Sequence, residues 1–527
     1  MSKHLLLLLL LACLCVNNVK SGEAFYTEST FFQQDNDYFL HTIERGQTVY
    51  SIAAMYNVSV DDIHRLNPES KNIIRAGDKL KIPQKSGSFI YHTIQSGETL
   101  YGVSKKYQMK GEDILDVNPG LSVETFIIGK TIRIPINRVT TPIKGGNETI
   151  NSSKTNSLLY QTTPIQEVKT IKVALLLPFG LKENATPRNA ATNRWVEFYQ
   201  GVLLALQDVK NQGISVNLQV YDIGSKTDEI PNVLKKPEMQ NINLLIGGLY
   251  ESQIKLISRF SKENGIPYII PFTSKSNEPL NNPYVYQINT PQSYLYSKAS
   301  LAFTSKYKND NIIIITEEGK VDKDDFIKTL EDDLKQKRIS YKKIPLDSQL
   351  SPNITSSLDR IRRNVIIPSN DSPETLSKLI VSLKVITESH PESQISLFGY
   401  PSWQVHSSDF SDDYFRLNTC FYSIFYTNPI APEVKSFYNT YYKWYSRDII
   451  NSYPKYGILG YDTSLYFIQL ISKYGSSFEN HINDLPFSGI QTDFHFERIN
   501  NWSGFINTNL YLVNFNSDYS ITRNLVK

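Results

Sequence analysis

The chain holds 8 histidines and 3 cysteines among 527 residues, and neither type falls in a pattern that supports catalysis. Asp493-Phe494-His495 puts a carboxylate and an imidazole on one face of an extended stretch, since alternate residues of a strand share a face. No further metal ligands accompany them, and a surface strand accounts for them. Cys420 lacks a histidine partner. The pairs Asp332-Asp333 and Asp412-Asp413 read as solvated charge. There is no His-Glu-x-x-His, no phosphate-binding loop and no Gly-x-Ser-x-Gly. The chain therefore reads as a non-enzyme that needs no cofactor and no metal. What remains is the chemistry of binding: hydroxyls and backbone N–H groups at turns and helix starts.

Composition narrows the partners. Lys and Arg number 55 against 52 Asp and Glu, a formal charge of +3, too balanced to suit nucleic acid. Lys3 and His4 precede the apolar run Leu5 to Leu11, Ala12 and Cys13. A charged start and a short apolar stretch describe a secretory signal, residues 1–24, too short to span a bilayer. Leu10-Leu11-Ala12-Cys13 also resembles a lipobox, which would make Cys13 a lipid anchor on the outer membrane. No transmembrane helix is expected after signal removal. Cys13 and Cys15 leave with the signal, or one carries lipid. Cys420 then stands alone, so the exported part is built without disulfides and Cys420 is expected in a buried strand.

Two stretches of the chain repeat. His41-Thr42-Ile43 returns 51 residues later as His92-Thr93-Ile94, and in the same register Gly46 meets Gly97, Thr48 meets Thr99, Tyr56 meets Tyr107 and Asn67-Pro68 meets Asn118-Pro119. The second copy then gains one residue, pairing Gly77 with Gly129 and Ile82-Pro83 with Ile134-Pro135. A register held through apolar, glycine and proline positions marks a duplicated module, over 39–84 and 90–136. Within one copy, Leu40 and Ile43 lie in a strand, Gly46 allows a tight turn, and Thr48 caps a helix carrying Val49, Ile52, Ala53 and Tyr56 at helical spacing. Asp61 or Asp62 opens a second helix, Asn67-Pro68 stops it, and Lys79 to Ile82 alternates as a closing strand. A strand-helix-helix-strand unit this small buries little core and should be only modestly stable alone.

These motifs resemble the LysM module, a family that binds N-acetylglucosamine-containing glycans, usually peptidoglycan. The resemblance implies a shallow sugar groove between the turn after the first strand and the loop before the last. Carried onto this chain, the turns are Gly46, Gln47, Thr48 and Val49, and Gly97, Glu98, Thr99 and Leu100. The loops are Asn72, Ile73 and Ile74, and Phe126, Ile127 and Ile128.

Residues 137–168 are rich in Thr, Ser, Asn and Gly without an apolar period, and read as a flexible linker. From Thr170 apolar runs alternate with helical stripes. Ile171 to Leu177 is a continuous apolar strand, as both-face burial demands. Trp195, Phe198, Val202, Leu206 and Val209 form one helical stripe. The alternation continues through Gln394 to Phe398. It describes an α/β, doubly wound parallel-sheet architecture, too long for one sheet and so divided into two lobes.

Residues 169–527 resemble the type 1 periplasmic-binding-protein fold, in the branch of substrate-binding proteins of ABC transporters for branched-chain amino acids. The landmarks are Val173 to Phe179, Gly201 to Asp222, Leu245 to Ser252 with Gly248 in place of the usual proline, Ile270 to Ser274, and Gly460-Tyr461-Asp462. The resemblance implies three crossings between lobes, with lobe one over about 170–290 and 428–485 and lobe two the rest. It also implies a ligand cleft at the carboxyl ends of the strands, where helix starts favour anions. Tyr250, Ser252, Thr273, Ser274 and Tyr461 are the cleft candidates, with Asp462 a helix cap. Two functions follow as expectations. One is a peptidoglycan-anchored domain that closes on a small-molecule ligand such as an amino acid, peptide or wall fragment. The other is a peptidoglycan-anchored regulator of cell-wall synthesis that contacts an envelope protein partner, its cleft vestigial.

Overall fold

The structure is a computed structural model, and it describes residues 37–71, 73–85, 87–136, 152–160, 168–181, 190–319 and 321–526. The expected signal, Cys13 and most of the expected linker lie outside the described residues.

The first module runs β1 (Tyr38–Thr42), α1 (Val49–Tyr56), α2 (Val60–Leu66) and β2 (Lys79–Pro83), and the second β3 (Phe89–Thr93), α3 (Leu100–Lys106), α4 (Gly111–Asp116) and β4 (Thr131–Pro135). Each is an antiparallel strand pair covered by two helices, as the sequence implies. Thr48 caps α1 by accepting from the N–H of Ser51, and Thr99 caps α3 by accepting from Gly102. The cap of α2 is Ser59, not Asp61 or Asp62. Those carboxylates sit in its first turn, where they face the positive end of the helix. Asn67 does more than stop α2: its amide donates to Ile63 O and Lys81 O, both at 2.8 Å, and accepts from Lys81 N at 2.9 Å. It thereby ties the helix to β2, and Asn118 repeats the device with Ile114 and Arg133.

Part of the expected linker is folded. Ser152–Ser157 forms α5. Its Asn156 Oδ1 accepts from Tyr101 N at 3.0 Å, and Leu158 and Leu159 join the apolar core of the second module. A Cβ on Gly111 would stand 2.8 Å from Thr155, so this packing requires glycine there.

The first lobe contains β5 (Ile171–Leu177), α6 (Ala190–Asn211), β6 (Val216–Asp222), α7 (Ile230–Leu234), β7 (Leu244–Gly247), α8 (Glu251–Asn264), β8 (Tyr268–Ile270) and β9 (Val285–Gln287). The chain crosses into α9 (Gln292–Lys306), β10 (Asn311–Thr316), α10 (Asp324–Gln336), β11 (Tyr341–Pro345), α11 (Leu350–Ser357), β12 (Asn364–Pro368), α12 (Pro373–Ser389), β13 (Ile395–Gly399), α13 (Ser411–Arg416) and β14 (Cys420–Ser423). It returns for α14 (Pro432–Tyr445), α15 (Tyr456–Tyr474), β15 (Phe496–Arg498) and β16 (Phe505–Asn507), then ends in the second lobe with β17 (Tyr511–Phe515) and β18 (Ile521–Leu525).

Each lobe has a seven-stranded sheet, ordered β15-β16-β9-β8-β7-β5-β6 and β11-β10-β12-β13-β14-β17-β18. Both repeat the doubly wound 2-1-3-4-5 order. The sheets are mixed, not wholly parallel: β15 with β16, β14 with β17, and β17 with β18 pair antiparallel. The third crossing falls between Asn507 and Tyr511, not near residue 485. Three-residue strands such as β15 and β16 carry too little period to be read from sequence. Cys420 is a free, buried residue of β14. In the first lobe α6 and α15 nearly touch: a Cβ on Gly201 would lie 1.7 Å from the carbonyl oxygen of Gly457.

Candidate functional site

Both modules share an internal network at the expected glycan turn. His41 Nε2 donates to Gln47 Oε1 at 2.8 Å, and Tyr56 OH donates to His41 Nδ1 at 2.8 Å. Gln47 Oε1 also accepts from Glu44 N at 2.9 Å. Because Gln47 Oε1 is an acceptor, Nε2 carries a proton, and Nδ1 of the neutral imidazole accepts from the Tyr56 hydroxyl. The second module places His92, Glu98, Gln95 N and Tyr107 in the same roles at 2.7, 2.8 and 3.1 Å. Burial lowers both imidazoles from their usual range, and the hydrogen bonds to Gln47 and Glu98 oppose it. Gln47 and Glu98 thus shape the turn from inside, and Thr48 and Thr99 spend their hydroxyl lone pairs on caps. Leu100 is a core side chain, whereas Val49 is half-buried.

The loops differ between copies. Lys79 stands opposite Thr42 and Thr131 opposite Thr93, so Ile74 corresponds to Phe126, both half-buried against their module cores. The exposed rim is then Arg75-Ala76 in the first copy and Ile127-Ile128 in the second. Ile127 and Ile128 are 47% and 67% exposed, and Ile73 is 38% exposed. Asn72 lies outside the described residues.

The modules are not free of the lobes. Trp502, between β15 and β16, is 1% exposed and packs 5.8 Å from the Tyr56 ring and 5.6 Å from that of Tyr91. The Arg133 guanidinium lies 4.5 Å over its ring. Leu280, Ile499 and Ile506 of the first lobe join Ile52 and Met55 in the same core. Gly120 N donates to Asn501 O at 2.8 Å, Asn281 donates to Ala54 O at 3.1 Å, and Arg133 donates to Asn281 at 2.7 Å. The first module also reaches the second lobe: Arg45 Nη2 pairs with Asp333 of α10 at 2.7 Å and donates to Ser297 O of α9 at 3.3 Å. The core of each small module is therefore completed by its neighbours.

In the first lobe the expected anion-binding turn is already partly engaged. Gln253, fully buried on α8, accepts from the N–H groups of Leu249 and Tyr250 at 3.2 and 3.3 Å. Its amide nitrogen donates to Gly224 O and Lys226 O at 2.9 and 3.0 Å. Proline is impossible at Gly248, where φ is +74° and a Cβ would stand 2.8 Å from the Tyr268 hydroxyl. Thr273 Oγ1 accepts from Lys275 N at 3.0 Å, a local turn. Ser274 is half-buried, and Ser252 and Tyr250 are exposed. Just behind them Trp195 packs 4.8 Å from Phe272 and 5.5 Å from Tyr456. On the second lobe Lys323 is paired with Asp322 and, at 3.0 Å, with Asp371.

Tyr461 does not join this group. Its hydroxyl donates to Asp208 of α6 at 2.7 Å and its ring packs on Phe437. Asp462 is no cap: it sits inside α15, fully buried, and accepts from the N–H groups of Ile490, Gln491 and Thr492 at 2.9, 2.8 and 3.1 Å. Burial pushes its carboxyl up to about 7, against those three donors. A different groove, about 880 Å³, opens between the lobes and is lined by Gln404, Tyr426, Tyr438, Asp448, Lys455 and Tyr519 among others. Asn451 bridges it to Val405 O at 2.9 Å. Of the features missed from sequence, Gln253 had a signal, standing three residues after a helix cap as capping boxes do. Trp502 had none.

The LysM domain family matches residues 41–83 and 92–135. The autolysin of Enterococcus faecalis is 30% identical over 105 residues, covering 18% of this chain and 14% of that protein. The probable autolysin SsaALP of Staphylococcus aureus is 28% identical over 107 residues, 18% of this chain and 40% of that one. The chain thus spans less than half the length of either relative. Among solved structures, an ABC transporter substrate-binding protein from Desulfitobacterium hafniense aligns over 67% of this chain and 99% of its own, at 14% identity and a TM-score of 0.42. A putative branched-chain amino acid ABC transporter from Rhodospirillum rubrum aligns over 68% and 100%, at 11% identity and a TM-score of 0.48. Among the described residues no helix is long and apolar enough to cross a membrane. The chain carries two tandem LysM domains ahead of a two-lobed α/β domain.

Proposed function

We propose that this is a non-catalytic protein of the cell envelope that holds peptidoglycan through LysM and works by contact between its two-lobed domain and an envelope protein, as a regulator of wall synthesis. One observation carries the choice of contact over ligand capture. The Gln253 side chain occupies the N–H groups of Leu249 and Tyr250, the place where a ligand carboxylate would otherwise be held at the start of α8. Displacing it would break its hydrogen bonds to Gly224 O and Lys226 O and uproot a fully buried side chain. The Arg45–Asp333 pair and the Trp502 seam further tie one module to both lobes, which opposes hinge closure.

A second reading has its own support. The groove beside Lys455 and Asp448 is large enough for an amino acid, peptide or wall fragment. Thermal unfolding of the full chain with pools of amino acids, peptides and muropeptides separates the two. The contact reading expects no shift from the amino acid and peptide pools, and any muropeptide shift to persist in Lys455→Ala because it arises at the LysM modules. Stabilisation near 2.7 kcal/mol at about 100 times Kd, lost in Lys455→Ala, replaces it with ligand capture. Release of soluble fragments from purified sacculi by the chain would overturn the non-catalytic part.

A further inference from the structure

The two modules share a fold but not a surface. In the first, the turn after β1 lies against the second lobe. A Cβ on Gly46 would stand 2.8 Å from the Tyr294 ring and 2.9 Å from its Cα, so backbone meets backbone there. On either side of that glycine, Arg45 is held by Asp333, and Tyr50 accepts from Asn277 at 3.4 Å. The turn has become part of the seam. In the second module nothing lies within 4 Å of a Cβ on Gly97, and Gly97 and Thr99 are exposed.

The opposite wall of each groove differs in the same sense. Ile127 and Ile128 present two exposed aliphatic side chains beside the open turn, an apolar strip of the kind on which a sugar face or N-acetyl methyl group is desolvated. The first module has Arg75-Ala76 at these positions, opposite a turn whose Gly46 is backed by Tyr294 while Thr48 stays exposed. A groove needs both walls, and only the second module offers both.

We infer that the second module alone engages wall glycan, while the first has given up its turn to fasten the modules across the two lobes. The occupant of the open groove is an N-acetylated glycan, gripped by the Gly97–Thr99 turn and the Ile127-Ile128 rim. This rests on the reading of the modules as peptidoglycan binders. It limits the protein to one glycan contact per chain, so avidity from tandem modules is absent.

The test is co-sedimentation of the full chain with purified sacculi, titrated to an apparent Kd. Ile127→Ser/Ile128→Ser should weaken retention by about tenfold, the scale of losing two aliphatic contacts. Arg75→Ser/Ala76→Ser should stay within about twofold of the parent. All four positions are exposed, and an unchanged Tm for each pair shows that the fold survives. Equal losses from the two pairs, or an unaffected Ile pair, overturn the assignment while leaving peptidoglycan binding in place. A parent chain that fails to sediment removes peptidoglycan binding itself.

Discussion

Trp502→Ala should loosen the modules from the first lobe. The indole is 1% exposed, sits between Tyr56 and Tyr91, and carries Arg133 over its face. Truncating a buried Trp to Ala costs about 3–5 kcal/mol, and the stacked guanidinium adds on the order of 1 kcal/mol. The seam keeps the Gly120–Asn501, Asn281–Ala54 and Arg133–Asn281 hydrogen bonds, each worth about 1 kcal/mol. The loss, about 4–6 kcal/mol, therefore exceeds what those bonds supply, and the balance between docked and released modules shifts by about three to four powers of ten. Hydrogen exchange followed by mass spectrometry is the readout. Protection should fall in Phe39–Tyr56 and Phe89–Arg133 while β7 and β12 keep theirs. Trp502→Phe, which retains an aromatic plug, should lose much less, since the indole N–H makes no hydrogen bond. Unchanged protection in the modules of the alanine variant would refute the claim that this ring joins them to the lobe.

Gly201→Ala pushes a methyl into the Gly457 carbonyl and should lower stability by about 1–3 kcal/mol or more as α6 and α15 separate, visible as a lower midpoint in urea. Gln253→Ala should cost about 1–3 kcal/mol and expose the start of α8. Sulfate should then raise the Tm of the variant but not of the parent, and equal responses would show that the N–H groups were never blocked. The modules should weaken in mild acid. His41 and His92 titrate below 6.5 when folded and near 6.5 when unfolded. Their contribution is complete above about pH 6.5 and is lost as pH falls through the folded values. The first module should be the more sensitive, because Glu98 gives a protonated His92 a carboxylate and Gln47 gives His41 only an amide. Melts at pH 7.5 and 5.5 that coincide would contradict this.

Much of the architecture was legible because its signals are local. The Thr48 and Thr99 caps, the Asn67-Pro68 stop and the unbroken run Ile171 to Leu177 each declare their element within a few residues. What stayed hidden depends on contacts distant in sequence. Asn500-Asn501-Trp502 reads as a loop until the Tyr56 and Tyr91 rings stand against it. Ser152 to Tyr160 is polar by composition, and its folding rests on Leu158, Leu159 and the space Gly111 leaves. The cleft candidates were placed by analogy of turns. Thr273 and Ser274 do adjoin the Ser252 turn region at strand ends, but the intrusion of Gln253 and the outward placement of Tyr461 come from neighbours the turn motifs do not encode.

The Arg45–Asp333 pair and the Trp502 seam have a mechanical side. A module hung from one lobe by a slack cord would let the molecule swivel, and tension in the wall would end at the cord. Here the attachment straddles the joint. Under the proposed attachment, a glycan strand pulling on the second module would load the first, which bears on α10 in one lobe and on the β15–β16 turn in the other. Stretch in the wall would then reach the protein as a shear across the boundary between the lobes.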